Sequence, residues 1–368
     1  MKTILKIILI VINLLLIVML LLSTLAGKVE PSKFIGFSLL SYLYLYLLIA
    51  NVLFILVWLL FGSKWFLLSL VGILIRFSFI PLYFQIGGTE SLSQEERAEA
   101  NSIKVMTFNV HLFNGTDVSY EVVDTNMKGF LSIVDEESPD LMALQEYIGQ
   151  GMTVNLTEKL RELGYTYVAS GYDSGSITGE VIFSKLPIQR VVRIEGPSKL
   201  YANLLWGDDT LRLYCLHLSS YGLDESDHKH LSEIYHGEVP YGQLSPHDGT
   251  LRKFRKTIVR HEQEWQTLKP YFESKERMTL VAGDFNETPA SYFYQQICQF
   301  FKDSYCESGQ GFSTTYHGLL TRQRNTTFPA FRIDMVLHSP DMEAVAYKRI
   351  KSDISDHHPV IVEIKKKK

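Results

Sequence analysis

Cysteine is scarce: the 368 residues hold three, Cys215, Cys298 and Cys306. None stands in a C-x-x-C or Cys/His spacing, which excludes a zinc ribbon or finger, and three are too few for a disulfide scaffold. They read as structural thiols, with a Cys298–Cys306 pairing left open should the domain face an oxidising compartment. Charge is missing from the N-terminal part. Residues 1–86 hold only six of the 36 basic residues (Lys2, Lys6, Lys28, Lys33, Lys64, Arg76) and one of the 40 acidic ones, Glu30. The 30 basic and 39 acidic residues left in 87–368 give a net charge of −9, the wrong sign for a polyanion-binding surface. No internal repeat is present, and only Lys365–Lys368 is low in complexity.

What fills the uncharged part is apolar. A spanning helix needs ~20 such residues, because the hydrocarbon core is ~30 Å thick and a helix rises ~1.5 Å per residue. Three stretches meet that length, 4–25, 34–61 and 65–86, so three transmembrane helices are predicted. Trp58, Trp65 and Tyr83 near their ends suit the interfacial belts. The first stretch also fits a secretory signal, since Lys2 and Lys6 precede an apolar run that ends in the small residues of 23–27. Three spans starting inside, or two after cleavage, both put residue 87 onward on the outer face. Lys2, Lys6 and Lys64 on the inner side are balanced by Lys28, Lys33 and Arg97 outside, so the positive-inside pattern is weak. Arg76 in the third stretch is either a functional buried charge or one that snorkels or pairs within the bundle.

Residues 87–101 are polar without an apolar period and read as a linker; the soluble domain starts at 102. Strand-length apolar runs recur at 103–110, 141–144, 166–169, 181–183, 211–216, 279–282, 333–337 and 360–364. Helical stretches at 127–135, 156–163, 251–272 and 291–300 lie among them. The mixture predicts an α/β sandwich of two sheets covered by helices.

Polar residues gather at the ends of these runs, where loops present side chains from a rigid scaffold. In order they are Phe108-Asn109-Val110-His111, Gln145-Glu146, His217-Leu218-Ser219, Gly283-Asp284-Phe285-Asn286, Arg332-Ile333-Asp334 and Ser355-Asp356-His357-His358-Pro359. Singly, each has a plain explanation: Asn109 begins a turn, Glu146 and Asp334 are solvated carboxylates, Gly283-Asp284 is turn chemistry, His217 is a bonded core histidine, and Asp356-His357 closes a loop. Taken as a set, the hard oxygen donors Asn109, Glu146, Asp284 and Asp356 suit Mg²⁺ or Mn²⁺ rather than zinc.

The order and wording of these motifs, above all Gln145-Glu146, Gly283-Asp284-Phe285-Asn286 and Ser355-Asp356-His357, resemble the endonuclease/exonuclease/phosphatase superfamily over about residues 103–364. The resemblance implies a four-layered α/β sandwich with its site at one end of two packed mixed sheets. It implies Glu146 as the principal metal carboxylate, with Asn109 beside it and Asp356 as a further ligand. Asp284 matches the residue that orients or deprotonates the attacking water, and Asn286 the one that positions the phosphate or that water. His217 and His357 resemble the pair that contacts phosphate oxygens, and Asp334 the carboxylate that fixes the His357 tautomer. In-line attack on a phosphoester builds charge on oxygens that a metal and two imidazoles neutralise. His111 departs from the pattern, since nucleases of the family often place an acidic residue there.

The resemblance therefore points to a membrane-anchored, Mg²⁺- or Mn²⁺-dependent phosphoester hydrolase of phosphodiesterase type. Pro329-Ala330-Phe331-Arg332-Ile333-Asp334 lacks the Pro-x-Trp-x-Asp-Arg element of the inositol-polyphosphate 5-phosphatase branch. The −9 balance of 87–368 disfavours a duplex-DNA enzyme. Tethering favours lipid head groups or envelope phosphodiesters, with an extracytoplasmic nuclease as the enzymatic alternative and a catalytically inactive membrane binding module as the other. The bilayer is an expected partner; no protein partner is inferred. A short anchor ahead of a catalytic domain suits a bacterial inner membrane with the domain outside. The segment 219–250 reads as an insertion near the site or a plain surface excursion. Its histidines, His228, His230, His236 and His247, read as solvated or as holding a second metal.

Overall fold

Residues Ile103–Asn109 carry no polar alternation and all seven are buried, the mark of a strand covered on both faces. In the computed structural model, which describes residues 2–88, 91–114, 120–171, 178–196, 198–223, 227, 248–274, 278–318 and 331–367, that strand lies inside one of two six-stranded sheets. The strands among the described residues are β1 (Phe84–Gln85), β2 (Ile103–Asn109), β3 (Leu141–Ile148), β4 (Tyr167–Ser170), β5 (Thr178–Ser184), β6 (Ile188–Arg193), β7 (Lys199–Trp206), β8 (Asp209–His217), β9 (Thr279–Asp284), β10 (Lys302–Asp303), β11 (Gly311–Phe312), β12 (Asp334–His338), β13 (Met342–Arg349) and β14 (Val360–Lys366).

The sheet orders are β13-β14-β2-β3-β5-β4 and β10-β12-β9-β8-β7-β6, with β1 and β11 as a separate small ladder. Each large sheet has a parallel pair at its centre, β2 with β3 and β8 with β9, among antiparallel neighbours. Parallel neighbours need a crossover, and the helices Tyr120–Glu137 and Asp248–Glu273 supply one for each pair. The inner faces share one core, with Val105, Leu141 and Ile182 meeting Leu213, Cys215 and Ala282. Met127, Phe130 and Val134 cover the outer face at Met106 and Phe108. Trp265, Leu268 and Phe272 cover the other at Tyr214 and Val281. The layers are helix, sheet, sheet, helix.

The runs anticipated from sequence all lie in or against strands, and the structure adds β6, β7 and β13 and the two-residue strands β1, β10 and β11. β6 is an exposed edge with Arg190 and Arg193, and β13 buries only alternate residues such as Met342, Ala344 and Ala346; neither has an apolar run to notice. Within 87–101 a short helix, Gln94–Ala100, is tied down by Arg97, 2.6 Å from Asp140. Cys215, Cys298 and Cys306 are free thiols.

Three full membrane spans are not formed. Among the described residues one helix, Thr3–Lys28, is long and apolar enough to cross a bilayer. The second stretch is broken at Tyr42-Leu43 into Ile35–Ser41 and Tyr44–Leu60, bent by 64°, and makes at most one further span. The third gives only the ten-residue helix Phe66–Ile75, about 15 Å long, because Arg76 ends it and a 3₁₀ segment containing Pro81 follows. These helices are apolar outside, and their interior holds a polar network among apolar side chains such as Leu20, Leu47 and Ile73. Buried Asn13 donates from Nδ2 to Ser69 Oγ (2.6 Å) and accepts from Trp58 Nε1 (3.0 Å), and Ser69 Oγ donates to Asn51 Oδ1 (3.1 Å). Ile4, Leu15, Leu53, Leu56 and Ile75 stand exposed on the outside.

Candidate active site

Two parallel pairs mean that β2, β3, β8 and β9 deliver their carboxyl ends to one edge of the sandwich, where α/β sheets place ligands. Asn109 ends β2, His217 ends β8 and Asp284 ends β9, with His217 opposite Asp284 in register. The antiparallel neighbours bring their amino ends to the same edge. Asp334 starts β12 directly opposite Asp284, Glu180 enters with β5, and His357 precedes β14. Glu146 reaches the edge through a bulge: the β3–β5 register shifts between Leu144 and Tyr147, and Glu146 takes φ +51°, which turns its carboxylate away from the buried Gln145.

The arrangement centres on Asp284, 1% exposed. Its Oδ2 accepts from Asn109 Nδ2 (3.0 Å) and Asn286 Nδ2 (3.3 Å), and its Oδ1 accepts from the Asn286 amide (2.8 Å). Two imidazoles flank that Oδ2, with His357 Nε2 at 3.7 Å and His217 Nε2 at 3.8 Å. Each ring is held from behind by a buried carboxylate. His357 Nδ1 lies 2.8 Å from Asp334 Oδ2, and His217 Nδ1 lies 3.2 Å from Glu180 Oε1. A carboxylate at Nδ1 fixes the ring so that Nε2 faces the site. His217 Nε2 is buried without a hydrogen-bond partner, a donor position that asks for a ligand oxygen.

Burial by itself would strip the proton from these rings, but the facing carboxylates outweigh it. His357 is raised in proton affinity by Asp334, Asp284 and Asp356, and His217 by Glu180, Asp284 and Glu146. Asp356 is held well below the usual carboxylate range: burial opposes this, and His357 and His111 overcome it. His111 Nδ1 stands 3.2 Å from Asp356 Oδ1. Asn109 turns its amide nitrogen toward Glu146 Oε1 (3.2 Å) as well as Asp284, and its oxygen accepts from the His111 amide (3.0 Å).

Glu146 and Asp356 are the more open carboxylates, each 28% exposed at the side chain. Ser355 Oγ donates to the Asn109 carbonyl (2.8 Å), which ties the Asp356 turn to the end of β2. Asp284, Asp334 and His357 also offer ligand atoms within 4.8 Å of one another, though Asp334 is already engaged with Nδ1 of that ring. The ion pairs given to Glu146, Asp284, Asp334 and Asp356 among the described residues are all to histidines. Four carboxylates with no lysine or arginine partner among the described residues fit a hard divalent cation.

The structure thus gathers Asn109, Glu146, His217, Asp284, Asn286, Asp334, Asp356 and His357 at one edge. His228, His230, His236 and His247 lie outside the described residues. Sequence reading missed Glu180, a lone charge entering the apolar run of β5 whose partner 37 residues on is visible only in three dimensions. It also missed Tyr316, whose ring lies 4.9 Å from that of His357. A Cβ on Gly318 would come within 2.9 Å of both the Tyr316 hydroxyl and Asp356, so the hydroxyl belongs to the site.

The profile of the endonuclease/exonuclease/phosphatase family matches residues 106–357, and that of a domain of unknown function matches residues 5–83. No curated protein matches the sequence. Among solved structures, an endonuclease/exonuclease/phosphatase from Bacteroides vulgatus is similar with 17% identity and a TM-score of 0.52 over 72% of this chain and 99% of that one. A family protein from Bacteroides thetaiotaomicron is similar with 16% identity and a TM-score of 0.51 over 73% and 98%. These likenesses concern the fold; the profile covers well over half of the residues, and the chain belongs to the endonuclease/exonuclease/phosphatase family.

Proposed function

We propose that the chain is a membrane-anchored, divalent-metal-dependent phosphoester hydrolase acting on phosphodiesters. The observation that carries this reading is the convergence of two carboxylate-backed imidazoles on Asp284 Oδ2, at 3.7 and 3.8 Å. In this reading Asp284 takes a proton from the attacking water, and Asn286 and Asn109 hold its carboxylate in place. His357 and His217 present Nε2 to the phosphate oxygens as charge develops there. Glu146 and Asp356 would hold the cation, Mg²⁺ or Mn²⁺, with Asn109 beside them. When bound, that ion supplies Lewis-acid neutralisation of phosphate charge.

The membrane reading rests on the outside of these helices: exposed Ile4, Leu15, Leu53 and Leu56 around a buried network of Asn13, Ser69 and Asn51 is the pattern of helices packed in lipid. Residues 1–86 form the membrane module, 87–101 the connection and 102–368 the catalytic domain. Contacts to the catalytic domain fall at one end of the bundle, through Gly27, Ser32, Tyr42 and Tyr83. Lys2 and Lys64 lie at the other end and Lys28 and Lys33 at this one, so the lysines are balanced between the two faces. The substrate we favour is a lipid head group in the same bilayer, and nucleic acid is the second arm of the test.

The full chain in detergent micelles is assayed with and without Mg²⁺ or Mn²⁺ on sphingomyelin, phosphatidylinositol phosphates, single- and double-stranded DNA and bis(p-nitrophenyl) phosphate. Metal-dependent turnover that Asp284→Ala and His357→Ala abolish is the expected result, and the preferred substrate names the class. A folded protein that binds metal and cleaves nothing above those two variants is a binding module instead. Glu180→Gln is expected to lower kcat roughly 10- to 100-fold, the usual consequence of losing a carboxylate behind a functional imidazole. An unchanged kcat would remove Glu180 from the site.

A further inference from the structure

Tyr42 lies at the break between the helices Ile35–Ser41 and Tyr44–Leu60, yet its hydroxyl donates to Glu287 Oε2 at 2.6 Å. Glu287 stands next to Asn286, in the loop that leaves β9, and is 2% exposed. Its other oxygen lies 2.7 Å from Nδ1 of His261, whose Nε2 lies 2.7 Å from the carbonyl oxygen of Ser219. A carbonyl only accepts, so Nε2 carries a proton, and the ring staples the loop after β9 to the loop after β8 that carries His217. Tyr42 spends its one hydroxyl proton on Glu287, so Tyr221, also bonded to Tyr42, is the donor of that pair.

Other contacts close the same frame. Asn286 Nδ2 donates to the carbonyl of Leu218 (3.1 Å). Tyr83 of the N-terminal module accepts at its hydroxyl from the Ala290 amide (3.1 Å). Tyr42 and Tyr83 therefore bracket the segment that directly follows Asp284 and Asn286. A buried carboxylate needs donors; one donor of Glu287 comes from the catalytic domain, the other from the membrane module 245 residues earlier. An anchor whose only task is to hold the enzyme at the bilayer has no need of a buried bond into this loop.

We propose that Tyr42, acting through Glu287, is a positioning residue for Asn286, so that the N-terminal module is part of the working site as well as its attachment. The proposal rests on the hydrolase reading of that site. Ser32 provides the control, because it bonds Glu262 at 2.8 Å in the same contact between module and domain but through a carboxylate other than Glu287.

The test compares Tyr42→Phe, Tyr221→Phe and Ser32→Ala in the full chain in micelles, by hydrogen–deuterium exchange and by kinetics on bis(p-nitrophenyl) phosphate. In Tyr42→Phe, exchange in 285–288 and 218–221 rises, and kcat falls roughly ten-fold, the scale of one hydrogen bond to a charged group. KM stays put, and the unfolding midpoint falls because buried Glu287 loses a donor. Tyr221→Phe moves the same quantities less, and Ser32→Ala moves neither. Loop exchange and kcat in Tyr42→Phe equal to wild type overturn the proposal, and so does an equal change in Ser32→Ala, which reports a loosened interface only. Wild-type protein inert toward every phosphoester overturns the underlying reading instead, whatever Tyr42 does to the loop.

Discussion

Asp284→Asn is expected to cut turnover by roughly 10³-fold or more while the chain stays folded. The substitution keeps shape and volume but removes the charge that every neighbour is arranged around. Asp284 accepts from Asn109 Nδ2, the Asn286 amide and Asn286 Nδ2, at 3.0, 2.8 and 3.3 Å. An amide in its place turns an NH₂ toward one or more of those donors and has no basicity toward water. The backbone at this point is fixed independently. A Cβ on Gly283 would lie 1.8 Å from the Leu216 carbonyl oxygen, so only glycine lets β8 and β9 approach as they do, and Asp284 stays opposite His217 and Asp334 in register. The measurement is kcat for the full chain at saturating metal, with the unfolding midpoint as the control for folding. Activity within ten-fold of wild type would falsify the role given to Asp284, whereas loss of metal binding alongside loss of turnover would make it a ligand rather than the base.

Where a residue's job is set by its own strand, sequence was enough to see it. Asn109, His217 and Asp284 are polar residues closing apolar runs, and the carboxyl end of a buried strand is where such a residue meets solvent. The four layers follow from the same alternation of runs and helical stretches. What stayed hidden depends on partners distant in sequence or on breaks that composition does not record. Glu180 and Tyr316 have meaning only through His217 and His357, and Tyr42 only through Glu287. The stretch 34–61 carries no charge, so length alone made it a straight span; the chain instead bends by 64° where Tyr42 turns to a carboxylate of the catalytic domain. Hydropathy counts residues and does not register such a break.

Asp334→Asn is expected to lower kcat roughly 10²- to 10⁴-fold, more than Glu180→Gln, although both residues sit behind an imidazole. The difference lies in the geometry. Asp334 is 2.8 Å from His357 Nδ1, whereas Glu180 is 3.2 Å from His217 Nδ1; both are buried, and each bonds its imidazole through one oxygen. Two backbone amides fix Asp334 in turn, since those of Ile333 and Asp334 both donate to Thr315 Oγ1 at 3.0 Å. An asparagine there can offer Nδ1 an NH₂ as readily as an oxygen, which strips the Nδ1 proton or turns the ring, and the imidazole loses the carboxylate that opposes the effect of burial. Because Asp334 acts only through His357, its removal should add nothing once that ring is gone. His357→Ala and the double variant Asp334→Asn/His357→Ala should therefore share one residual rate, the strong non-additivity of residues that work as a unit. Multiplied effects in the double variant would mean that Asp334 works independently of His357, as a ligand in the buried Asp284–Asp334–His357 group.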